Sequence, residues 1–445
     1  MSRDGKPDVF AITSDSMSVL LGQGDGTLVA KWNVPAASDP AVAVIADMNG
    51  DGRMDVALAF LTEYQRTAGV LLGNGDGTFA SRHLDWPAEQ HPSAMATADL
   101  NGDGKVDIVM AHAPDGVAVL LGTADGTFAP KADYAIGTSS HMGSLTSIDL
   151  ADLNGDGKLD IATASHDWSA SATPATVTVL LGNGDGGFAT GVPITTGFEP
   201  CSLKLGDLNG DGKPDIVMTN HEDGMVSVRL GKGDGTFAAA ADYPAGISPT
   251  ELALGDLNRD GKLDIVVLTE GAADASAAYG VIYAAVLLGN GDGTFAVRQD
   301  SAVVDALASL ALADLDGDGN LDIVVVSGNI IDGSVGVSLG NGDGTFGGKV
   351  DFHAGGSYAR MGALGDFNHD GNLDVMTLNR TDPGSYSIGS ISVLLGNGDG
   401  TLAANSDYPV NDLTLAAADV SGDGSLDLIG VSSSGAVDVL LGACR

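Results

Sequence analysis

Eight copies of one nine-residue loop set side-chain oxygens at fixed intervals along this chain. The first copy places Asp47, Asn49, Asp51 and Asp55 at positions 1, 3, 5 and 9, with Gly52 at position 6. The next four repeat the pattern with Asp99, Asn101, Asp103 and Asp107; Asp152, Asn154, Asp156 and Asp160; Asp207, Asn209, Asp211 and Asp215; and Asp256, Asn258, Asp260 and Asp264. The last three carry Asp314, Asp316, Asp318 and Asp322; Asp366, Asn368, Asp370 and Asp374; and Asp419, Ser421, Asp423 and Asp427. Carboxylates and amides at alternate positions of a short loop make an all-oxygen cage for a hard cation, and no His or Cys cluster offers the softer ligands that zinc prefers. Asp-Gly and Asn-Gly pairs alone would read as β-turns. A turn explains one or two Asp per loop but not the Asp that returns at position 9. Ser421 makes its loop the weakest complete site.

The elements that hold these loops are short apolar runs. Each loop lies between two of them, as Ala-Leu-Ala-Asp-Leu before Asp316 and Leu-Asp-Ile-Val-Val-Val after Asn320. The loops recur every 49 to 58 residues, which marks an array of one supersecondary unit. Four strands fit each unit: A before the loop, B after it, C at a Val-Leu-Leu-Gly run (Val70, Val119, Val179, Val286, Val393), and D from a G-x-G-D-G-T-F motif such as 73–79. Runs of four to six apolar residues indicate strands buried on both faces, as when small sheets stack around an axis. The expectation is an all-β fold, a β-propeller of four-stranded blades. The whole of 1–445 reads as a single propeller domain of about nine repeats of roughly 52 residues, the first and last incomplete.

The chain supplies eight A, nine B, nine C and eight D strands, opening on B-C-D and closing on A-B-C. Pairing the last A-B-C with the first D gives eight blades and leaves the first B-C hairpin spare; seven blades is the alternative. The first residues align with positions 2 to 9 of the loop, so an upstream segment is expected and the lack of a signal peptide weighs little.

The acidic loop departs from the EF-hand after position 9, having no Glu at position 12 and strands for flanks. It resembles the calcium loop of FG-GAP (VCBS-type) repeat proteins, the family of the integrin α-subunit propeller, over essentially the whole chain. The resemblance implies Ca²⁺ bound between strands A and B, about eight ions in all. It also implies a backbone carbonyl ligand at position 7, supplied here by Arg53, Lys105, Lys158, Lys213, Lys262, Asn320, Asn372 and Ser425.

Composition narrows the partners. The net charge is −39, so nucleic acid and anionic membranes are not expected to bind. The eight loops hold 25 of the 59 acidic residues, and eight divalent cations would bring the charge to −23. No apolar run reaches the length of a membrane-spanning helix. Cys201 and Cys444 lie in distant units and no disulfide is expected between them.

Up-and-down strands place the A–B loops and C–D turns on one rim and the B–C and D–A connections on the other. From the last Asp of the loop to the Val of strand C is 11 or 12 residues after Asp8, Asp107 and Asp427, but 19, 22 and 19 after Asp160, Asp264 and Asp374. Length variation therefore gathers opposite the metal loops, with the unrepeated Tyr64, Arg66, His166, Trp168, Arg380, Asp382 and Tyr386. The G-D-G-T-F motif reads as a type I′ hairpin turn. His166-Asp167-Trp168 and His221-Glu222-Asp223 lie on the variable rim, yet no nucleophile–base pair or nucleotide fingerprint accompanies them. Trp32 and Trp86 fall at strand-D ends, where packing is the expected role. The reading is a monomeric, extracellular or cell-surface, calcium-stabilised module that binds a glycan or a surface protein. A polysaccharide-cleaving enzyme and a purely structural module are the competing classes.

Overall fold

The computed structural model describes the backbone and most side chains of residues 92–112, 116–123, 129–130, 132–136, 143–167, 176–189, 191–196, 200–270, 282–304, 308–328, 333–366, 370–380 and 388–409. Before and after these it describes the backbone of strands only. The described residues hold strands and turns and no helix.

Seven antiparallel sheets have four strands each, in the spatial order A-B-C-D. One consists of Pro200–Gly206, Asp215–Asn220, Met225–Arg229 and Ala241–Pro244. Its strand B is central: Val217 is registered with Lys204 on one side and Val228 on the other. Strand A of each sheet contacts strand A of the next, from Pro40–Ala46 through to Leu415–Ala418, which in turn contacts Pro40–Ala46. The series of A strands thus closes around an axis, as a β-propeller requires.

The cores lie between sheets, not within them. Leu208, Val217, Val226 and Val228 pack with Leu252, Ile265, Val267 and Phe295 of the following sheet. Ile216 and Met218 pack the other way, against Ala162, Ala164, Val177 and Val179 of the preceding one. Successive side chains of a strand point to opposite faces, so one strand serves two cores. This is why Asp215–Asn220 is buried at every residue and why its sequence shows no apolar–polar alternation.

The closing sheet differs from the sequence expectation. It has six strands: Leu28–Val34, Met17–Gly22 and Asp8–Ile12 stay together, and Asp8–Ile12 pairs in parallel with Asp427–Val431 through Ala11 with Gly430 and Ile12 with Val431. Leu415–Ala418 and Val437–Leu440 also pair with Asp427–Val431. The first B-C hairpin is therefore not spare. This sheet takes up the strands left when seven sheets have used one of each: one A, two B, two C and one D. The first B, C and D strands remain paired because each closes on its neighbour through a short connection, at low entropic cost.

Candidate metal loops and the turns that brace them

In the loop that begins at Asp99, Oδ1 accepts the N–H groups of Gly102 (2.8 Å) and Asp103 (3.1 Å), and Oδ2 accepts that of Gly104 (2.8 Å). Asn101 Oδ1 accepts the Asp103 N–H at 2.9 Å. The chain coils around its first carboxylate, with Gly102 and Gly104 at φ of 72° and 77°. The loops that begin at Asp152 and Asp207 repeat these bonds, and the Asp256 loop keeps those to positions 5 and 6. At its position 4 the Asp256 loop has Arg259 with φ 59°, a backbone conformation that glycine adopts more readily.

Position 9 has a second task. Asp107 is fully buried; its Oδ2 accepts the Leu100 N–H at 2.8 Å and its Oδ1 the Gly122 N–H at 2.7 Å. It thereby ties the A–B loop to the start of the C–D turn, which sets both on one rim. Asp160, Asp215, Asp264 and Asp322 make the same pair of bonds at 2.7–2.9 Å. Burial pushes all five above the usual carboxylate range, although the two N–H donors pull the other way. A cation in the loop would favour their charged form. The glycine that donates must be a glycine: a Cβ on Gly231 would stand 2.2 Å from the Pro214 carbonyl oxygen.

Position 5 is exposed. Asp103, Asp156, Asp211 and Asp260 pair with the lysine two residues on, at 2.9–3.2 Å. The lysine hydrogen bond holds Asp103, Asp156 and Asp260 below their ordinary value. Such exposed pairs are weak, being screened by water, and would yield readily to a cation.

The Asp314 loop fits a cation best. Carboxylate oxygens of Asp314, Asp316 and Asp322 lie within 4.8 Å of one another, the one such acidic group among the described residues. Asp314 Oδ1 is buried without a hydrogen-bond partner, whereas the matching oxygen of Asp99 takes two N–H donors. A buried carboxylate oxygen left in that state costs about 1–3 kcal/mol, which a bound cation would offset. Three converging carboxylates suit Ca²⁺ chemistry. Asp318, at position 5, turns to Asn320 at 2.6 Å. Arg259 of the preceding sheet donates through Nη2 to the Asp318 carbonyl (2.5 Å) and through Nε to that of Gly319 (3.1 Å), joining adjacent loops.

The G-D-G-T-F motif is a turn, but longer than a two-residue type I′ hairpin. Lys232 N–H bonds the Thr236 carbonyl at 2.9 Å across Gly233, Asp234 and Gly235, and the two glycines have φ of 74° and 77°. Asp234 Oδ1 accepts both the N–H and the hydroxyl of Thr236. The turn also braces the preceding sheet: Gly235 N–H bonds the Leu153 carbonyl at 3.0 Å. A Cβ on Gly235 would meet Leu181 Cδ2 at 2.8 Å, so the Leu-Leu-Gly run of one repeat and the G-D-G of the next specify each other.

Of the other sequence candidates, Asp366, Asp370, Asn372 and Asp374 occupy the same positions in their loop, and Asp374 Oδ1 accepts the Gly396 N–H. Asp55 and Asp427 begin their strands. Asp47, Asn49, Asp51, Arg53, Asn368, Asp419, Ser421, Asp423 and Ser425 lie outside the described residues, as do Tyr64, Trp168, Asp382 and Tyr386. His166 and Arg380 lie near strand-B ends. His221-Glu222-Asp223 forms the tight turn between strands B and C of its sheet. Sequence reasoning missed Arg229, which stands where Leu120, Leu180, Leu287 and Leu394 are buried in other sheets. The signal was present in the departure of Val-Arg-Leu-Gly from Val-Leu-Leu-Gly.

Comparison with known proteins agrees with this architecture. An exotype rhamnogalacturonan lyase, YesX, superposes with a TM-score of 0.57 at 16% identity, over 96% of this chain and 80% of its own. Sqt1 of Saccharomyces cerevisiae superposes with a TM-score of 0.55 at 11% identity, over 90% and 95%. At such identities the likeness is one of fold alone. No curated protein matches in sequence. The model of the FG-GAP-like repeat matches residues 1–58, 47–110, 99–163, 168–218, 207–267 and 314–377, well over half of the sequence. With its tiled repeats and its acidic loops each set between strands A and B, the chain belongs to the FG-GAP-like repeat family.

Proposed function

We propose that this protein is a calcium-stabilised propeller that acts at or outside the cell surface as a binding module, taking a glycan or a surface protein on the rim opposite its metal loops. The observation that carries the calcium reading is the Asp314 loop, where Asp314, Asp316 and Asp322 bring carboxylate oxygens within 4.8 Å of one another and Asp314 has a buried oxygen without a protein partner. Asp314, Asp316, Asp318 and Asp322 would hold the ion there, with the equivalent side chains in the other loops. A bound cation supplies the positive charge these carboxylates otherwise lack. Because the loops are hydrogen-bonded to turns of their own and the following sheet, each ion would stiffen a seam between sheets.

Calcium titration by calorimetry tests the first half: about eight ions are expected by the loop count, the Asp314 site tightest and the Asp419 site weakest. Extracellular sites of this type have dissociation constants of about 0.1–1 mM. A stoichiometry of zero or one would overturn it. The binding half is tested by presenting the calcium-loaded chain to glycan and cell-surface-protein arrays. A protein that retains neither class would act as a structural module instead.

A further inference from the structure

Position 4 of the acidic loop is glycine in four of the five loops where it is described, Gly102, Gly155, Gly210 and Gly317, at φ of 71–75°. The fifth has Arg259 at φ 59°, a region that a residue with a Cβ enters at a cost. The contact that offsets this cost lies in the next sheet. Arg259 donates through Nη2 to the Asp318 carbonyl at 2.5 Å and through Nε to the Gly319 carbonyl at 3.1 Å. Space is open over the position-6 glycines of the other described loops, Gly104, Gly157, Gly212, Gly261 and Gly371. Over Gly319 a Cβ would stand 2.2 Å from Arg259 Nη2.

Each gripped carbonyl belongs to a peptide unit whose N–H faces into the Asp314 loop. The Asp318 carbonyl shares its plane with the Gly319 N–H, which bonds Asp314 Oδ2 at 2.8 Å. The Gly319 carbonyl shares its plane with the Asn320 N–H, which bonds Asp318 Oδ1 at 2.7 Å. A peptide unit is planar, so fixing its carbonyl fixes its N–H. The arginine fork thus sets two consecutive units at once, a grip that a lysine ammonium lacks. In the loops at Asp99, Asp152, Asp207, Asp256 and Asp366 the position-5 N–H bonds Oδ1 of the first Asp at 3.1–3.2 Å. In the gripped loop that N–H turns instead to Asp316 Oδ1, at 3.2 Å, and Asp314 Oδ1 is left buried and unpartnered.

Resting on the calcium reading above, we infer that Arg259 is a positioning residue for the cation site of the neighbouring sheet. From outside the Asp314 loop it holds the backbone in the arrangement that keeps an Asp314 oxygen available to the ion. Its charge acts the other way, repelling a cation, yet Arg259 is exposed, so water and salt weaken that repulsion.

Hydrogen exchange read by mass spectrometry on the full chain gives a calcium midpoint for each loop separately. Arg259→Gly restores the residue other loops carry and relieves the positive φ. It should raise the midpoint of 314–322 about three- to tenfold, the effect of losing roughly one hydrogen bond's worth of positioning. The midpoint of 207–215 and the melting temperature in excess chelator should not change. Arg259→Lys keeps the charge without the fork and should raise the 314–322 midpoint too. An unchanged midpoint in Arg259→Gly would show that Asp316 alone sets the site, and a lower one that the arginine acts by repulsion. A wild-type midpoint in Arg259→Lys would show that charge matters and the fork does not. A lower melting temperature in chelator with no shift of midpoint would mark a brace between sheets and nothing more. Each of these overturns the positioning role while calcium binding stands. If no loop of the wild type gains protection with calcium, the calcium reading fails, and the positioning role with it.

Discussion

The two rims of this propeller are made by opposite means. On one, the described repeats present the same loop, tied by a buried Asp to its own C–D turn and, at Leu153 with Gly235 and Leu257 with Gly344, by a backbone hydrogen bond to its neighbour. On the other, B–C connections range from a tight turn at 221–224 to segments such as 271–281. Uniformity suits a scaffold, because a surface repeated around a ring offers a partner little to distinguish one place from another. Discrimination needs departures from the repeat, and among the described residues buried side-chain atoms without a partner occur at Thr163, Asn220 and Arg229 within the sheets and at Asp314 in its acidic loop.

The contrast should break most visibly on removal of metal. At roughly 1 mM Ca²⁺ and a dissociation constant near 0.1 mM, linkage gives about 1.4 kcal/mol per site, and eight independent sites sum to on the order of 11 kcal/mol. That is comparable with the whole stability of a domain. Chelation should therefore lower the melting temperature steeply, and coincident melts with and without excess chelator would refute the scaffold reading.

Next in size is a comparison inside one loop. Asp215→Ala leaves the buried N–H of Leu208 and the half-buried N–H of Gly231 without acceptors, at a cost of about 2–4 kcal/mol. Asp211→Ala removes an exposed carboxylate and should cost much less, only its share of one ion. The two variants should also differ without calcium, where only Asp215→Ala remains strongly destabilising in urea. Equal losses in chelator would show that position 9 acts only through the metal.

Gly235→Ala probes the seam. Positive φ and the approach to Leu181 together predict a loss of about 1–3 kcal/mol. Leu181→Ala in the same chain should recover part of it, because the clash is mutual; strictly additive losses in a double-mutant cycle would deny the contact.

The smallest structural effect is expected from the variable rim. Replacing 167–175 or 380–388 with short Gly-Ser turns should change stability by no more than about 0.5 kcal/mol and leave the calcium stoichiometry intact. Partner binding should fall if those segments contribute to it. Should binding survive both replacements yet vanish with one loop Asp, the partner would be reading the metal rim itself.

Much of this architecture was legible in the residues. Val and Ile runs such as 265–268 could only be strands buried on both faces, and the period of the acidic loops fixed how many units to expect. The oxygen-bearing positions were equally plain. Less visible was the division of labour among them: sequence gives a residue's type but not its direction, and nothing in the spacing showed that Asp107 also accepts from Leu100 and Gly122. The three-residue G-D-G turn was hidden for the same reason, since Asp-Gly also fits a shorter hairpin. Strand counting predicted a surplus B-C pair but not where it would go; that depends on which of two equivalent partners closes locally. Arg229 escaped because one substitution in a repeat is easily read as drift.

Neighbouring residues in strand B belong to different seams, as Ile216 and Val217 do. Each repeat therefore carries one face shaped for its predecessor and one for its successor, and those faces are alike from repeat to repeat. Duplicating or deleting a whole repeat re-creates the same seam at the new junction, while losing half of one leaves an apolar face with nothing to meet. Over generations a gene of this kind can change length in steps of one full repeat, and the diameter of the ring, with the spacing of whatever it displays, changes in the same steps.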